Sequence, residues 1–116
     1  MTGVSVQLMF QGQMRDALAL WQGIFHELEV EELGPDLVQV TFGGQTVRLF
    51  DSPPVHDFAF TPSFSFFVTV DEEAEVDRLA SLLSGTALMP PGAYDFARRF
   101  AWVTDPFGVS WQISFP

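Results

Sequence analysis

Apolar residues in this chain change their period twice, in the same order each time, and this constrains the fold more than any single motif. Residues 4–10 alternate apolar with mixed side chains, as a strand with one buried face does. Met14, Leu18, Trp21, Phe25 and Leu28 then recur at helical spacing, which predicts a helix from about residue 13 to 28. Residues 37–42 and 45–50 are β-rich runs separated by Gly43-Gly44, a pair suited to a two-residue hairpin turn, and residues 29–33 offer a further strand. After a linker from Asp51-Ser-Pro-Pro to about residue 61 the order returns. Residues 63–70 read as a strand, and Asp71 is placed to cap a helix with Glu72, Glu73 and Glu75 in its first turn. Val76, Leu79, Ala80 and Leu83 form its buried stripe, and Gly85 sits where a helix would stop. Next come a strand at 86–89, a loop at Pro90-Pro91-Gly92, a strand near 100–104, a turn at Asp105-Pro106-Phe107-Gly108 and a last strand. The prediction is one α+β domain of 116 residues, built from two modules at about 1–55 and 61–116 that match in order of elements rather than in residue identity.

Composition removes several function classes. The chain has no cysteine, so thiolate nucleophiles and cysteine-ligated metals are excluded. Its five basic residues are all arginine, which excludes a Schiff-base or P-loop lysine. A formal net charge of −10 repels nucleic acid and anionic membranes. No apolar run approaches the roughly 20 residues of a membrane span, and the start carries no charged leader, so a cytoplasmic protein is expected. Acidic clusters at 27–36 and 71–77 read as solvated helix ends, His26 as a boundary residue and His56 as a linker residue.

Strand parity then separates two kinds of face. Val4, Val6, Leu8 and Phe10, Phe64, Phe66, Val68 and Val70, and Val109, Trp111, Ile113 and Phe115 fall on the sides expected to meet the helices. The opposite sides carry Gln7 and Met9, Ser65, Phe67 and Thr69, and Ser110, Gln112 and Ser114. An apolar surface with a few convergent polar groups is what lines small-molecule pockets. The alternative is that these polar side chains only hydrogen-bond one another.

Three stretches, LMFQGQMRDALALW, FSFFVTVDEEAEVDRLASLL and DPFGVSWQI, resemble in this order the PhnB-like branch of the vicinal oxygen chelate superfamily, which includes glyoxalase I, extradiol dioxygenases and bleomycin-resistance proteins. The resemblance spans nearly the whole chain except residues 86–99. It implies paired βαβββ modules whose strands curl around a cup, assembled as homodimers. Catalytic relatives hold a divalent metal there, and the corresponding positions in this sequence are Gln7 or its neighbour, a residue near 49–51, Ser65 and Gln112. Ser65 stands where such relatives favour histidine, and Gln112 where they favour glutamate.

These readings predict a homodimeric protein that binds a small apolar or aromatic molecule without metal or other cofactor. Gln7, Ser65 and Gln112 would contact the ligand, with Met9, Phe67 and Tyr94 as walls and Arg98 as a partner for an anionic group. The alternative is a metal-dependent lyase, isomerase or dioxygenase of the same superfamily with Gln7, Asp51 and Gln112 as ligands; a scaffold that binds no small molecule is a third. Some relatives carry a methyltransferase name, but the single glycine pair, Gly43-Gly44, lies between two strands and not in a strand-to-helix loop of the kind that binds nucleotides.

Overall fold

The computed structural model describes residues 1–83 and 85–116, which divide into two compact units, Met1–Asp57 and Phe58–Pro116. The first unit runs β1 (Val6–Phe10), α1 (Met14–Ile24), β2 (Glu29–Gly34), β3 (Leu37–Phe42) and β4 (Gln45–Asp51). Its sheet has the order β1-β4-β3-β2, with β1 parallel to β4 and the other pairs antiparallel. Gly43 and Gly44 have φ of +58° and +81°, the two positive values that a primed hairpin turn needs, so β3 and β4 join through the expected pair.

The helix ends earlier than its apolar spacing suggests. Phe25 turns extended at φ −104° and ψ 95° while its N–H still bonds the Trp21 carbonyl. Leu28 then reaches back to the Phe25 carbonyl through a turn, so both residues are buried without being helical. Met14, Ala17, Leu18, Trp21 and Ile24 face the sheet, and Leu8, Phe10, Val38, Val40, Val47 and Leu49 face them. Burying each such aliphatic side chain stabilises the fold by about 1.5–3 kcal/mol relative to exposure.

The second unit repeats the order with β5 (Ser65–Thr69), α2 (Glu73–Leu83), β6 (Thr86–Tyr94), β7 (Ala97–Thr104) and β8 (Ser110–Phe115), in the sheet order β5-β8-β7-β6. Val76, Leu79, Ala80 and Leu83 are the buried stripe of α2, as the spacing predicts. The predicted loop at Pro90-Pro91-Gly92 is instead the middle of β6. That strand is the sheet edge and pairs with β7 through register shifts, so prolines without an N–H cost little there. Residues 86–99, unmatched by sequence, thus form most of a hairpin that turns at Asp95-Phe96. Both units are α+β with mixed four-stranded sheets. Among the described residues no helix is long and apolar enough to cross a membrane.

Candidate functional site

The turn at Asp105 sets the register on which the site depends. The Asp105 carboxylate is buried and accepts the N–H groups of Phe107 and Val109 on Oδ1 and the Trp111 indole N–H on Oδ2, at 2.9, 3.0 and 3.0 Å. Gly108, at φ +87°, closes the turn by donating to the Asp105 carbonyl. Trp111 is thereby pinned on the α2 side of β8, and alternation turns Ser110 and Gln112 to the opposite face. The register then sets Thr104 across from Ser110, Trp102 across from Gln112, Ser65 beside Ser110 and Phe67 beside Gln112.

On that face four side chains form one hydrogen-bonded chain. The Trp102 indole N–H donates to Ser110 Oγ at 2.8 Å, Ser110 and Ser65 share a hydroxyl–hydroxyl bond of 2.6 Å, and Gln112 Nε2 donates to Ser65 Oγ at 3.2 Å. Two hydroxyl protons are present and one lies between the serines. Among the described residues the other hydroxyl proton and Gln112 Oε1 have no bond, which leaves one donor and one acceptor side by side.

Beside this polar line stands a group of rings. Phe100 is only 2 % exposed although it faces away from α2, because Phe96 meets it edge-on at 4.8 Å and Tyr94 at 5.9 Å. Tyr94 stacks on Phe96 and donates its hydroxyl to the Pro90 carbonyl, while Phe67 approaches Phe100 at 6.4 Å. Phe67 and Phe96 are 61 % and 63 % exposed, so they form an apolar rim around a buried ring. The β6–β7 hairpin, which sequence alone left without a place, supplies most of it.

Of the residues singled out from sequence, Ser65, Phe67 and Gln112 come together on this face, with Tyr94 in the adjoining ring group. Arg98 donates from Nε to the Pro116 carbonyl, and its guanidinium lies 4.1 Å from the Phe115 ring centre. Gln7 and Met9 belong to the first unit, where Gln7 Oε1 accepts from Arg48 Nε at 3.1 Å. Asp51 shares the parity of Val47 and Leu49, the face opposite Gln7, and holds the Gly12 N–H at 2.6 Å. Gln7 and Asp51 therefore do not converge within their sheet. Among the described residues no three histidine, aspartate or glutamate side chains cluster as a metal site would require. His26 and His56 are exposed, and the His56 backbone N–H donates to Gln11 Oε1.

Sequence reasoning missed Trp102, Phe96 and Phe100, and did not single out Ser110. For Trp102 the signal was available: counting back from the Asp105 turn puts it opposite Gln112. The electrostatics of the second unit lie at its helix. Arg99 donates two hydrogen bonds, at 2.6 and 2.8 Å, to the Asp77 carboxylate on α2, and this holds the Asp77 pKa below the usual aspartate value. Hydrogen bonds from Arg78 and Arg15 lower Glu75 and Glu32 in the same way.

The family model described as 3-demethylubiquinone-9 3-methyltransferase matches residues 2–114. A solved Bacillus cereus protein, called PhnB and provisionally described as that methyltransferase, is 32% identical, with 99% of this chain and 100% of that one covered at a TM-score of 0.85. A Pseudomonas aeruginosa protein is 22% identical over 99% of this chain and 98% of its own, at a TM-score of 0.83. A glyoxalase/bleomycin resistance protein/dioxygenase family enzyme from Burkholderia phytofirmans shares the fold at 16% identity and a TM-score of 0.76, over 96% and 95% of the two chains. No curated protein matches the chain.

Proposed function

The chain belongs to the PhnB-like family of the glyoxalase-fold, or vicinal oxygen chelate, superfamily, and on that premise we propose that it binds a small, largely apolar molecule on the face of β5, β8 and β7 away from α2. One observation carries the reading: the open Gln112 Oε1 and one serine hydroxyl proton sit together beside the exposed Phe67. A ligand with one donor and one acceptor on an aromatic or aliphatic body complements that pattern.

Binding on this face proceeds without a divalent metal. Positions at which catalytic relatives favour histidine and glutamate hold Ser65 and Gln112, neutral groups already bonded to each other, and such a donor set is a poor exchange for an ion's hydration shell. A metal-dependent lyase, isomerase or dioxygenase using Gln7, Asp51 and Gln112 is disfavoured, because Gln7 and Asp51 point to opposite faces. The methyl transfer in the family description gains no support from the glycines, since Gly43-Gly44 is consumed by a hairpin turn. The same proposal includes a homodimer in the cytoplasm, supported by exposed Phe58, Phe64, Phe67 and Phe96 in a chain with 13 phenylalanines. Arg98 remains a proposed contact for this ligand, while Gln7 and Met9 remain proposed ligand contacts of the first unit taken by itself.

The deciding variant is Gln112→Leu. Ser65 keeps Ser110 as its partner, so the thermal midpoint should hold. Binding of a hit from a metabolite screen should weaken by up to about tenfold, the upper end of the ratio expected when one hydrogen bond of about 0.5–1.5 kcal/mol is lost. A lowered midpoint with no ligand found would refute the binding reading. Stoichiometric zinc, iron, manganese or nickel in chelator-free protein would refute the metal-free one, and sedimentation as a 12.9 kDa species alone would refute the dimer.

A further inference from the structure

Four of the five arginines are engaged within the chain: Arg15 with Glu32, Arg78 with Glu75, Arg99 with Asp77, and Arg98 with the Pro116 carbonyl and the Phe115 ring. Arg48 differs. It is half-buried on β4, on the face of the first sheet away from α1, and among the described residues its one hydrogen bond runs from Nε to Gln7 Oε1 at 3.1 Å. No carboxylate pairs with it among the described residues, in a chain with 15 acidic side chains.

Its surroundings are specific. Gln7 on β1 and Gln39 on β3 lie across from Arg48 on either side, and Gln39 turns its amide nitrogen to Glu31 Oε2 at 3.4 Å. Both lateral neighbours are therefore neutral amides. Two residues along the strands, on the same face, Met9, Phe50 and Leu37 stand in register as a half-buried apolar strip about 7 Å away. A guanidinium has a side edge that includes Nε and an end edge formed by Nη1 and Nη2. The Gln7 bond occupies Nε and fixes the group's rotation, leaving the end edge with two parallel N–H donors, whose spacing matches the two oxygens of a carboxylate.

We propose that this face binds a small organic carboxylate, with the carboxylate bridged by the Nη groups of Arg48 and its apolar body over Met9, Phe50 and Leu37. The net charge of −10 opposes any anion, but a phosphate dianion more strongly than a monoanion, so of the two anion classes that suit a guanidinium it leaves the carboxylate the less penalised. The inference concerns the first unit alone and does not rest on the ligand proposed for the second.

The test titrates the unaltered protein with phenylacetate and octanoate and with their neutral counterparts phenylacetamide and octanamide. The Arg48 Nε–Hε NMR cross-peak, identified by its absence in Arg48→Gln, is the readout. At least one acid should move it saturably and bind tenfold or more tightly than its amide. Arg48→Gln should lose that preference, while Arg15→Gln, whose guanidinium is already paired with Glu32, should keep it. The proposal is overturned if acids and amides bind alike, if neither binds, or if Arg15→Gln matches Arg48→Gln in effect. Loss of self-association in Arg48→Gln without any acid binding would overturn it too, by assigning the guanidinium to a second copy's carboxylate. Acid is compared with amide on the unaltered chain, so a variant that fails to fold does not obscure the answer.

Discussion

A methyl group added at Gly85 would lie 2.8 Å from the Thr104 carbonyl oxygen and from the Asp105 carbonyl carbon and oxygen. The obstacle is backbone, tied further by the bond from the Gly85 N–H to the Thr104 carbonyl, so no rotamer change relieves it. Gly85→Ala should therefore cost about 1–3 kcal/mol, read as a lower thermal midpoint. Sequence identified this glycine correctly as a boundary but for another reason: it is needed for a close approach, not for a left-handed helix end. Asp105 is the second residue on which much rests. Both carboxylate oxygens accept, and an asparagine would turn an NH₂ toward one of those donors. Asp105→Asn should cost about 1–3 kcal/mol and weaken the near-ultraviolet circular dichroism of the ordered Trp111. The Asp-Pro-Phe-Gly turn was legible in sequence, because proline and glycine preset its angles. Its carboxylate's hold on the indole was not, since alternation states only which way Trp111 points.

At the scale of elements, legibility followed whether one buried face decided the pattern. The stripe of α2 and the parity of β1, β5 and β8 could be read because each has one side on the core, but Val4 and Phe64, expected on those same sides, are exposed, since β1 begins only at Val6 and β5 only at Ser65. The stripe of α1 overran, since Phe25 and Leu28 are buried just as well beyond the helix end as within it. β6 was expected only to Met89 and then a loop, because proline argues against strands in general, whereas at a sheet edge the missing N–H has no partner to disappoint. The ring group on β6 and β7 was hidden with the rest of that strand. What joins α2 to β7 besides apolar packing is the pair of Asp77 with Arg99, and its sign can be worked out. The Asp77 pKa is lowered in the folded chain, chiefly by the Arg99 hydrogen bond. Its stabilisation is therefore present above the ordinary aspartate pKa and is lost as pH falls through the lower, folded value. Thermal midpoints measured against pH should show the unaltered protein above Asp77→Asn near neutrality, with the gap closing only at and below the bottom of the usual aspartate range. A gap independent of pH would mean that the carboxylate's charge contributes nothing.

At the scale of the whole molecule, the two units repeat one strand order, β1-β4-β3-β2 and β5-β8-β7-β6, with a parallel pair closing each sheet. Gln7 meets Arg48 from 41 residues away and Ser65 meets Ser110 from 45, whereas β3 and β4 join through two glycines. Closing a long loop must be completed before its contacts repay the lost entropy, so the hairpins should assemble first and β1 and β5 should dock last. In native-state hydrogen exchange under rising denaturant, amides of β1 and β5 should lose protection before those of β4 and β8. Simultaneous loss in every strand would contradict that sequence of events. On that order Ser65 would sit on the strand that docks last and leaves first. A molecule bridging β5 and β8 would thus act as a latch in time, lengthening the lifetime of the folded state by slowing unfolding while hardly changing the rate at which the chain folds.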